Sequence, residues 1–392
     1  MSDILDEAEL ARVLKPIAAA RGLPNICYTD PLVFGLERKR IFASGWACAG
    51  FSHDVAGAGA LHPFEFAGMP LLMVRIEASV NENSLRVFHN VCRHRGRVLV
   101  AEPKLVKKAI ACPYHGWSYD LAGSLVRAPN VGGLGVHAHD GFDASDICLS
   151  EVRSAEWFGL VFVDLSGEAE SFDDYIRPVN ERWQDFAGAT LIHGGVDSTI
   201  RIDLACNWKL AVENYCEAYH LPFVHPELNK YSPLDQHFCI VDEAHSGQRS
   251  EVYAPTYPGG QAAFPNAPDL PASWDTGADY IALYPNVLLG IHRDHFFAVL
   301  LEPEGPNRTF ERFEIFYFDA AVRDTAFDAT RIANRDLWQS VFAEDRDAVE
   351  SMQRGRVSPG FDGGVFSPVM DVATHTFHVW MANKLQNTSD GQ

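Results

Sequence analysis

Apolar and polar positions alternate with two different periods along this 392-residue chain, and the change of period divides it into parts. Between residues 46 and 165, short apolar runs are separated by Gly, Pro and Asn, a pattern typical of a small all-β domain. Residues 166–392 combine β-rich runs with segments of helical periodicity, which predicts an α+β domain. Residues 1–45 begin with a short amphipathic stretch and are expected to form a helical segment that packs on the α+β domain.

The α+β part has three patterns that locate its elements. Helical periodicity over residues 207–220 predicts a helix. The runs 280–303 and 308–320 are rich in β-branched and aromatic residues and predict paired strands. A longer helical stretch, 324–354, is expected to end at Gly355, because glycine favours the position after a helix C-terminus.

Composition and charge narrow the class of protein. The formal net charge of −20 argues against direct binding to nucleic acid, which requires basic surface to displace counterions. No apolar stretch is long enough to span a bilayer, and the N-terminus lacks the basic and apolar segments of a signal peptide. A cytoplasmic protein without membrane contact is therefore expected. Its eight scattered cysteines are not expected to form disulfides, so cysteines near histidines indicate a metal site.

Four candidate metal ligands follow a distinctive spacing. Cys92 and His94 occur in FHNVCRHRGRV, and seventeen residues after His94 comes CPYHGW, with Cys112 and His115. Each loop thus offers one thiolate and one imidazole. This set fits a [2Fe–2S] centre in which two cysteines bind one iron and two histidines bind the other. The neutral imidazoles raise the reduction potential above that of an all-cysteine cluster.

A tetrahedral Cys2His2 zinc site is the alternative that the same four residues could build. Gly96 and Gly116 follow the ligand pairs at positions where tight loops are needed. Trp117 can cover the site and supply an N–H donor to a sulfur. These features favour the iron–sulfur centre.

The motifs also carry a resemblance to a known family. NVCRHRG, CPYHGWSYDLAGSL and the upstream YTDPLVFGLERKRIFASGW resemble the α-subunit of Rieske non-haem iron oxygenases, and the resemblance covers most of the chain. It implies a small all-β Rieske [2Fe–2S] domain and a larger helix-grip α+β catalytic domain with an antiparallel sheet. It also implies that the cluster relays electrons to a second, mononuclear iron in the catalytic domain.

Two histidines of ENYCEAYHLPFVHP, His220 and His225, are the candidate ligands for that iron. On a continuous helix their spacing corresponds to about 140°, which would point the rings apart. Pro222 resolves this, because the residue before a proline disfavours helix. The helix is therefore expected to end near Leu221, with His220 in its last turn and His225 in the following loop. Beside a Rieske motif, two such histidines indicate half of a 2-His-1-carboxylate iron(II) site for dioxygen activation rather than ordinary structural residues.

The third ligand follows from the phase of the helix predicted over 324–354. Its apolar stripe consists of Leu337, Trp338, Val341, Phe342, Ala348, Val349 and Met352. At about 100° per residue, Asp345 lies near the centre of this stripe, Glu344 toward its edge and Asp347 almost opposite. A carboxylate in a buried face is costly unless a cation compensates it, so Asp345 is the predicted ligand. With a different helical phase, Asp345 would lie at the surface.

The resemblance assigns further roles near this site. In the family, an acidic residue at the position of Glu217 bridges the mononuclear iron to a Rieske histidine of the neighbouring subunit. Glu217 is therefore expected to link His220 to His115 of the partner subunit, and helical spacing puts Glu217 on the face of His220. Asn214 and Glu213 are expected either to lie around the ligands or to pack the helix. Electron transfer between subunits across a head-to-tail interface requires a closed ring, so a homotrimer is expected.

The expected activity is that of the terminal oxygenase in a multicomponent system with dioxygen as cosubstrate. No G-x-G-x-x-G motif follows a strand and opens a helix, so NAD(P)H would act only through a separate flavin and iron–sulfur reductase, directly or through a ferredoxin. ENYCEAYHLPFVHP and LYPNVLLG most resemble the branch that hydroxylates or demethylates small quaternary ammonium and N-methyl compounds such as choline, betaine or carnitine.

Two alternatives remain open. Aromatic acids are the substrates of another branch of the family, and a Rieske electron-transfer protein without catalysis would need no second iron site. A cationic substrate would be bound by an aromatic cage or a carboxylate. The candidate cage residues are Trp274, Tyr280, Tyr284, Phe296 and Phe297. The histidines that match no motif are expected to be structural, among them His53, His89, His292, His295 and His378.

Overall fold

The computed structural model describes residues 4–77, 84–255 and 263–386. The outermost residues of the predicted first and last parts, 1–3 and 387–392, lie outside these ranges. Within them, no helix is both long enough and apolar enough to cross a membrane.

The chain divides into two compact units. Residues 42–172 form the first, here called the β unit, and residues 1–41 with 173–392 form the second, here called the α+β unit. The segment predicted to be all-β, 46–165, lies inside the β unit.

The β unit is built from two antiparallel sheets. Its strands are β1 (Trp46–Phe51), β2 (Ala60–Phe66), β3 (Met69–Arg75), β4 (Leu85–His89), β5 (Lys104–Leu105), β6 (Ala109–Ala111), β7 (Ser118–Asp120), β8 (Leu125–Arg127), β9 (Glu151–Trp157) and β10 (Leu160–Asp164). Seven of them form a sheet in the order β1-β10-β9-β4-β3-β2-β5, and three form a smaller sheet in the order β6-β7-β8. The all-β fold predicted for this part is confirmed.

Among the described residues, the apolar core of the β unit includes two clusters of buried side chains. One of them contains both candidate cysteine ligands, Cys92 and Cys112, packed with residues such as Phe88, Ile110 and Tyr119. Because close-packed interiors resist displacement, burial of the cysteines anchors the two loops that carry them.

The α+β unit contains both helices and strands. Its helices are α1 (Glu7–Val13), α2 (Ile26–Thr29), α3 (Pro31–Glu37), α4 (Phe172–Arg182), α5 (Trp208–Tyr215), α6 (Leu221–Val224), α7 (Leu228–Tyr231), α8 (Asp328–Gly355) and α9 (Val372–Leu385). Its strands are β11 (Ile192–His193), β12 (Thr199–Leu204), β13 (His237–Val241), β14 (His245–Ser250), β15 (Ala278–Leu283), β16 (Val287–Ile291), β17 (His295–Gly305) and β18 (Arg308–Tyr317).

These strands form one antiparallel sheet in the order β11-β18-β17-β16-β15-β14-β13, and β12 also pairs with β18. The runs predicted as paired strands, 280–303 and 308–320, contain β15 to β18, and neighbouring strands pair as expected. Strands β15 and β16 are buried at every position, which explains their nearly continuous apolar sequence. Helix α5 packs on β15 and β17, α8 on β12 and α9 on β14.

The long predicted helix is α8, which ends at Gly355 as expected. Its buried apolar side chains include Trp338, Phe342 and Val349 of the predicted stripe. Met352 is 39% exposed, so the buried stripe ends one turn earlier than predicted.

Candidate functional site

Two loops of the β unit carry the predicted cysteine and histidine ligands. After Cys92 and after Cys112 the backbone makes the same turn. The N–H of the glycine four residues later donates to the cysteine carbonyl oxygen, at 3.0 Å for Gly96 and 3.1 Å for Gly116. Both glycines have a positive φ, 71° and 73°, which residues with a Cβ rarely adopt. Glycine is therefore what allows each loop to close.

The histidines of the two loops are neighbours, with the ring centroids of His94 and His115 4.8 Å apart. Trp117 stacks on His94 with centroids 4.5 Å apart. Burial and the nearby His115 lower the pKa of His94, which favours the neutral imidazole that a metal ligand requires. Cys92 and Cys112 are 2% and 3% exposed and form no disulfide. Two buried thiols and two adjacent imidazoles, carried by the same two loops, fit a cluster with mixed ligation.

Tyr119, which was not among the predicted site residues, adds a hydrogen bond to this group. Its hydroxyl oxygen accepts from the backbone N–H of Arg93 at 3.0 Å, so its own proton is directed to the Cys92 sulfur, 3.3 Å away. Burial and this hydrogen bond raise the pKa of Tyr119, and the hydroxyl stays protonated at neutral pH. In the sequence, no motif or spacing marks Tyr119 as a site residue, and it is simply a tyrosine in a short strand after the second loop.

We expect Tyr119→Phe to lower the reduction potential of the [2Fe–2S] centre. A hydrogen bond to a ligand sulfur stabilises the more negative, reduced cluster. A difference of about 1 kcal/mol between the two oxidation states corresponds to roughly 40 mV for one electron. A potentiometric titration measures this shift. Tyr114→Phe, which removes a hydroxyl from a 57% exposed tyrosine of the second loop, is the matched control, and an equal shift in both variants would contradict the assignment.

In the α+β unit, the two predicted histidines and the predicted carboxylate come together. Ligand atoms of His220, His225 and Asp345 all lie within 4.8 Å of one another. Nε2 of His225 is 2.9 Å, and Nε2 of His220 3.7 Å, from the same oxygen of Asp345. The three side chains thus face one common position, as a 2-His-1-carboxylate site requires.

Each histidine also contacts a carboxylate of its own through Nδ1, the outer ring nitrogen, which does not face Asp345. Nδ1 of His220 lies 2.6 Å from Glu217 Oε1, and Nδ1 of His225 lies 2.7 Å from Glu344 Oε2. Each neutral histidine can therefore donate its Nδ1 proton outward and present its Nε2 lone pair inward. Partners of this kind fix the tautomer and ring orientation of metal-binding histidines.

The position between the three side chains fits a cation. The Nε2 lone pair of a neutral His225 and the Asp345 oxygen would repel each other at 2.9 Å. Burial alone would lower the pKa of His225, but the carboxylates of Asp345 and Glu344 outweigh burial and raise it. A positive charge is thus favoured here, and two imidazoles with one carboxylate are the donor set of non-haem iron(II).

The backbone around His220 differs from the predicted one. Helix α5 ends at Tyr215, so the expected helix end near Leu221, with His220 in the last turn, was wrong. Pro222 does not terminate a helix but lies in the first turn of α6, where a missing N–H costs nothing. His220 is the N-cap and His225 the C-cap of this one-turn helix, and their ring centroids are 5.1 Å apart. The short helix, rather than a loop folding back, brings the two rings together.

Glu217 reaches His220 without the predicted shared helix face, because it lies between α5 and α6. One carboxylate oxygen holds Nδ1 of His220, and the other accepts from the backbone N–H groups of Tyr219 and His220. The carboxylate therefore closes the turn into α6 and orients the imidazole at the same time. Its side chain remains 14% exposed.

The phase of α8 turns Asp345 toward the site and leaves Asp347 exposed. Glu344, which was placed at the edge of the stripe and given no role, holds His225 although its side chain is 39% exposed. Helical periodicity could not identify this contact, because it depends on where the separate helix α6 places His225.

We expect Glu344→Gln to weaken iron binding by about 10-fold or more, because a removed partner of a metal-binding histidine costs about 10- to 100-fold in affinity or activity. Chelator competition with the purified protein measures this affinity. Asp347→Asn neutralises an exposed carboxylate three residues further along the same helix and should leave the iron affinity nearly unchanged. Loss of iron in Asp347→Asn but not in Asp345→Asn would show that the helical phase is misassigned.

A pocket with a cavity volume of about 50 Å³ opens at the three ligands. The pocket has two walls that differ in chemistry. The aromatic wall consists of Tyr215, Tyr280, Trp338 and Phe342. The polar wall consists of Ser232, His237 and Gln248. The remaining lining residues are Asn214, Glu217, Leu221, Leu228 and Val341.

Of the five predicted cage residues, Tyr280 lines this pocket. The other four are buried elsewhere in the α+β unit, namely Trp274, Tyr284, Phe296 and Phe297. Successive strand residues point to opposite faces of a sheet, so a run of aromatic residues on strands cannot all face one cavity. Trp338, which the stripe placed on the buried face of α8, is a wall residue that the predicted cage did not include.

Two histidines without a motif support the aromatic wall. The hydroxyl of Tyr280 lies 3.1 Å from Nε2 of His292, and the indole N–H of Trp338 donates to Nε2 of His295 at 3.1 Å. The imidazoles stack with centroids 4.1 Å apart. Their predicted structural role agrees with these contacts, which fix the polar edges of both wall residues.

Glu213 belongs to a buried polar network away from the pocket. It accepts hydrogen bonds from the Tyr28 hydroxyl and, at 3.2 Å, from the Arg356 guanidinium, and Nε2 of His378 lies 3.3 Å from it. Burial would raise the pKa of Glu213, but His378 and Arg356 hold it at about 2. Of the two roles expected for these residues, Glu213 therefore packs the helix, whereas Asn214 lines the pocket near the ligands.

Comparisons with known proteins match both parts of the chain to described domain families. Residues 45–138 match the family model of the Rieske [2Fe–2S] domain, and residues 194–387 match that of the ring hydroxylating alpha subunit (catalytic domain). Choline monooxygenase from chloroplasts of Arabidopsis thaliana is 27% identical over 95% of this chain and 84% of its own length. The glycine betaine monooxygenase oxygenase subunit of Chromohalobacter salexigens is 25% identical, with 97% and 90% covered. A crystal structure of a quaternary ammonium Rieske monooxygenase has the same fold, with a TM-score of 0.77 at 24% identity and coverage of 98% and 100%.

Proposed function

The chain belongs to the Rieske non-haem iron oxygenases, with a Rieske [2Fe–2S] domain followed by a ring-hydroxylating α-subunit catalytic domain, and on this premise we propose that it oxidises a small quaternary ammonium or N-methyl compound. It is the oxygenase subunit of a multicomponent system that takes electrons from a separate reductase. A Rieske electron carrier would have no use for a second site with its own pocket.

The residues present fit both metal centres. Those that would hold the [2Fe–2S] cluster are Cys92, His94, Cys112 and His115. Those that would hold the mononuclear iron are His220, His225 and Asp345. When bound, the two centres together supply two electrons and activate dioxygen. In the net reaction, one oxygen atom of dioxygen would enter a C–H bond of the substrate, and the other would leave as water with the two electrons and two protons. An N-hydroxymethyl product would release formaldehyde.

The chain's own residues orient these groups. Glu217 and Glu344 hold the outer nitrogens of the two histidines, so both imidazoles keep their lone pairs turned inward. The aromatic wall lines the pocket with apolar ring faces, which would exclude water beside a bound substrate. Glu217, which is partly exposed, would also connect His220 to His115 of the partner subunit within a homotrimer.

The chemistry of the pocket carries the proposal for the substrate. Four aromatic side chains and the carboxylate of Glu217 line it, and a ring face and a carboxylate both attract an organic cation. Among its described lining residues there is neither lysine nor arginine, the side chains that normally hold the carboxylate of an aromatic acid.

A single-turnover screen tests the substrate class without a reductase. The holoenzyme is reduced with dithionite under anaerobic conditions, freed of reductant, and mixed with dioxygen and one compound. We expect choline-type and N-methyl compounds to be converted, with a gain of one oxygen or loss of a methyl group as formaldehyde, detected by mass spectrometry. Conversion of benzoate-type acids with no turnover of any quaternary ammonium compound would overturn the proposal.

A further inference from the structure

The polar wall of the pocket, formed by Ser232, His237 and Gln248, has no part in the iron site described above. Two of its members are almost fully buried, with Ser232 at 1% and Gln248 at 7% exposure. A polar group is buried in an otherwise aromatic pocket at a cost unless it is hydrogen-bonded. The direction of its hydrogen bonds therefore determines what the wall offers to a substrate.

The direction of each hydrogen bond in this wall follows from the contact between Gln248 and the backbone of Glu217. The backbone carbonyl of Glu217 can only accept, so the atom of Gln248 that faces it at 3.0 Å is the amide nitrogen. The amide oxygen of Gln248 then faces Nδ1 of His237 at 2.5 Å, and Nδ1 must carry the proton. Nε2 of His237 is left as an acceptor, and the hydroxyl of Ser232 donates to it at 3.0 Å.

The Ser232 oxygen retains a lone pair and has no free proton. Its second neighbour, the Ser250 hydroxyl at 2.9 Å, also lies 2.9 Å from the carbonyl oxygen of Val252, to which it donates. Burial lowers the pKa of His237, so the imidazole stays neutral and supplies no positive charge to the pocket. At Ser232 the wall therefore accepts a hydrogen bond and offers none.

We propose that Ser232, positioned by His237 and Gln248, accepts a hydrogen bond from a hydroxyl group of the substrate and selects N-methylated amino alcohols over their carboxylate analogues. This inference rests on the proposed oxidation of quaternary ammonium compounds. A hydroxyl supplies the proton that the Ser232 lone pair lacks, while the cationic end contacts the aromatic wall. A carboxylate has only acceptor atoms and would meet the Ser232 lone pair and the carboxylate of Glu217, with no basic side chain among the described lining residues.

Three ligands of similar size separate these contributions. Choline carries a hydroxyl, ethyltrimethylammonium carries none, and glycine betaine carries a carboxylate. Anaerobic binding calorimetry of the holoenzyme should give choline the highest affinity, followed by ethyltrimethylammonium and then glycine betaine. Ser232→Ala should remove the preference for choline over ethyltrimethylammonium, a loss of roughly five- to tenfold, as expected for one hydrogen bond. Ser198→Ala, at a fully buried serine that does not line the pocket, is the matched control and should keep the preference.

A second variant keeps the inference testable if Ser232→Ala does not fold. His237→Phe removes the acceptor of the Ser232 proton, which then becomes available to the ligand, so the ratio of glycine betaine to choline affinity should rise. Unchanged visible spectrum and iron content show that each variant is intact. Equal affinity of the wild type for choline and ethyltrimethylammonium, or tighter binding of glycine betaine, overturns this inference and leaves the proposed function standing. Absence of binding by all three, with no turnover of any quaternary ammonium compound, overturns both.

Discussion

Asp345→Ala is expected to abolish turnover and to empty the mononuclear iron site, while the visible spectrum of the [2Fe–2S] cluster stays as in the wild type. Asp345 supplies the one negative charge that faces Nε2 of both His220 and His225. Removing one partner of such a charge pair costs roughly 3 kcal/mol or more, which corresponds to at least about 100-fold in iron affinity. Metal analysis, the visible spectrum and a single-turnover assay measure the three quantities.

The cluster should be unaffected because its ligands and Asp345 belong to different compact units. Cys92→Ser provides the reverse case. It should bleach the cluster spectrum, since Cys92 is buried in the core of the β unit, and leave iron at the second site. Loss of the cluster spectrum in a folded Asp345→Ala protein would contradict the assignment of two separate centres.

The parts of these sites that sequence could predict are those controlled by short-range rules. Both cluster loops depend on a glycine four residues after the cysteine. The positive φ at Gly96 and Gly116 favours glycine, and this residue type can be read directly from the sequence. The orientation of Asp345 depends on the phase of one long helix, which the spacing of Trp338 and Phe342 already contains. Local backbone preference and helical periodicity therefore suffice at these positions.

The parts that could not be predicted depend on contacts between distant segments. Glu344 holds a histidine 119 residues away in the chain, and no periodicity of α8 contains that information. Pro222 is compatible with both the end of one helix and the first turn of another, and packing of the α+β unit selects the second. The polar wall joins His237 of β13 to Gln248 of β14, so it exists only once these strands pair.

With iron supplied in excess, Glu217→Gln is expected to have both metal centres occupied and the cluster reducible, but to show electron transfer between them slowed on the order of 100-fold. Glutamine keeps the size of the side chain and one oxygen that can accept from Nδ1 of His220. The substitution removes the negative charge that would stabilise His115 of the partner subunit as the cluster changes oxidation state. In the measurement, prereduced protein is mixed with dioxygen and substrate, and cluster reoxidation is followed by absorbance.

The matched control is Glu344→Gln, because Glu344 holds Nδ1 of His225 at 2.7 Å much as Glu217 holds Nδ1 of His220 at 2.6 Å. If slow transfer arose from a poorly oriented iron ligand, both variants loaded with iron would be slowed alike. If it arises from a lost bridge between subunits, Glu217→Gln alone is slowed, because Glu344 holds the other histidine. Reoxidation of Glu217→Gln at the wild-type rate would show that this carboxylate serves its own chain only, through His220 and the backbone of Tyr219.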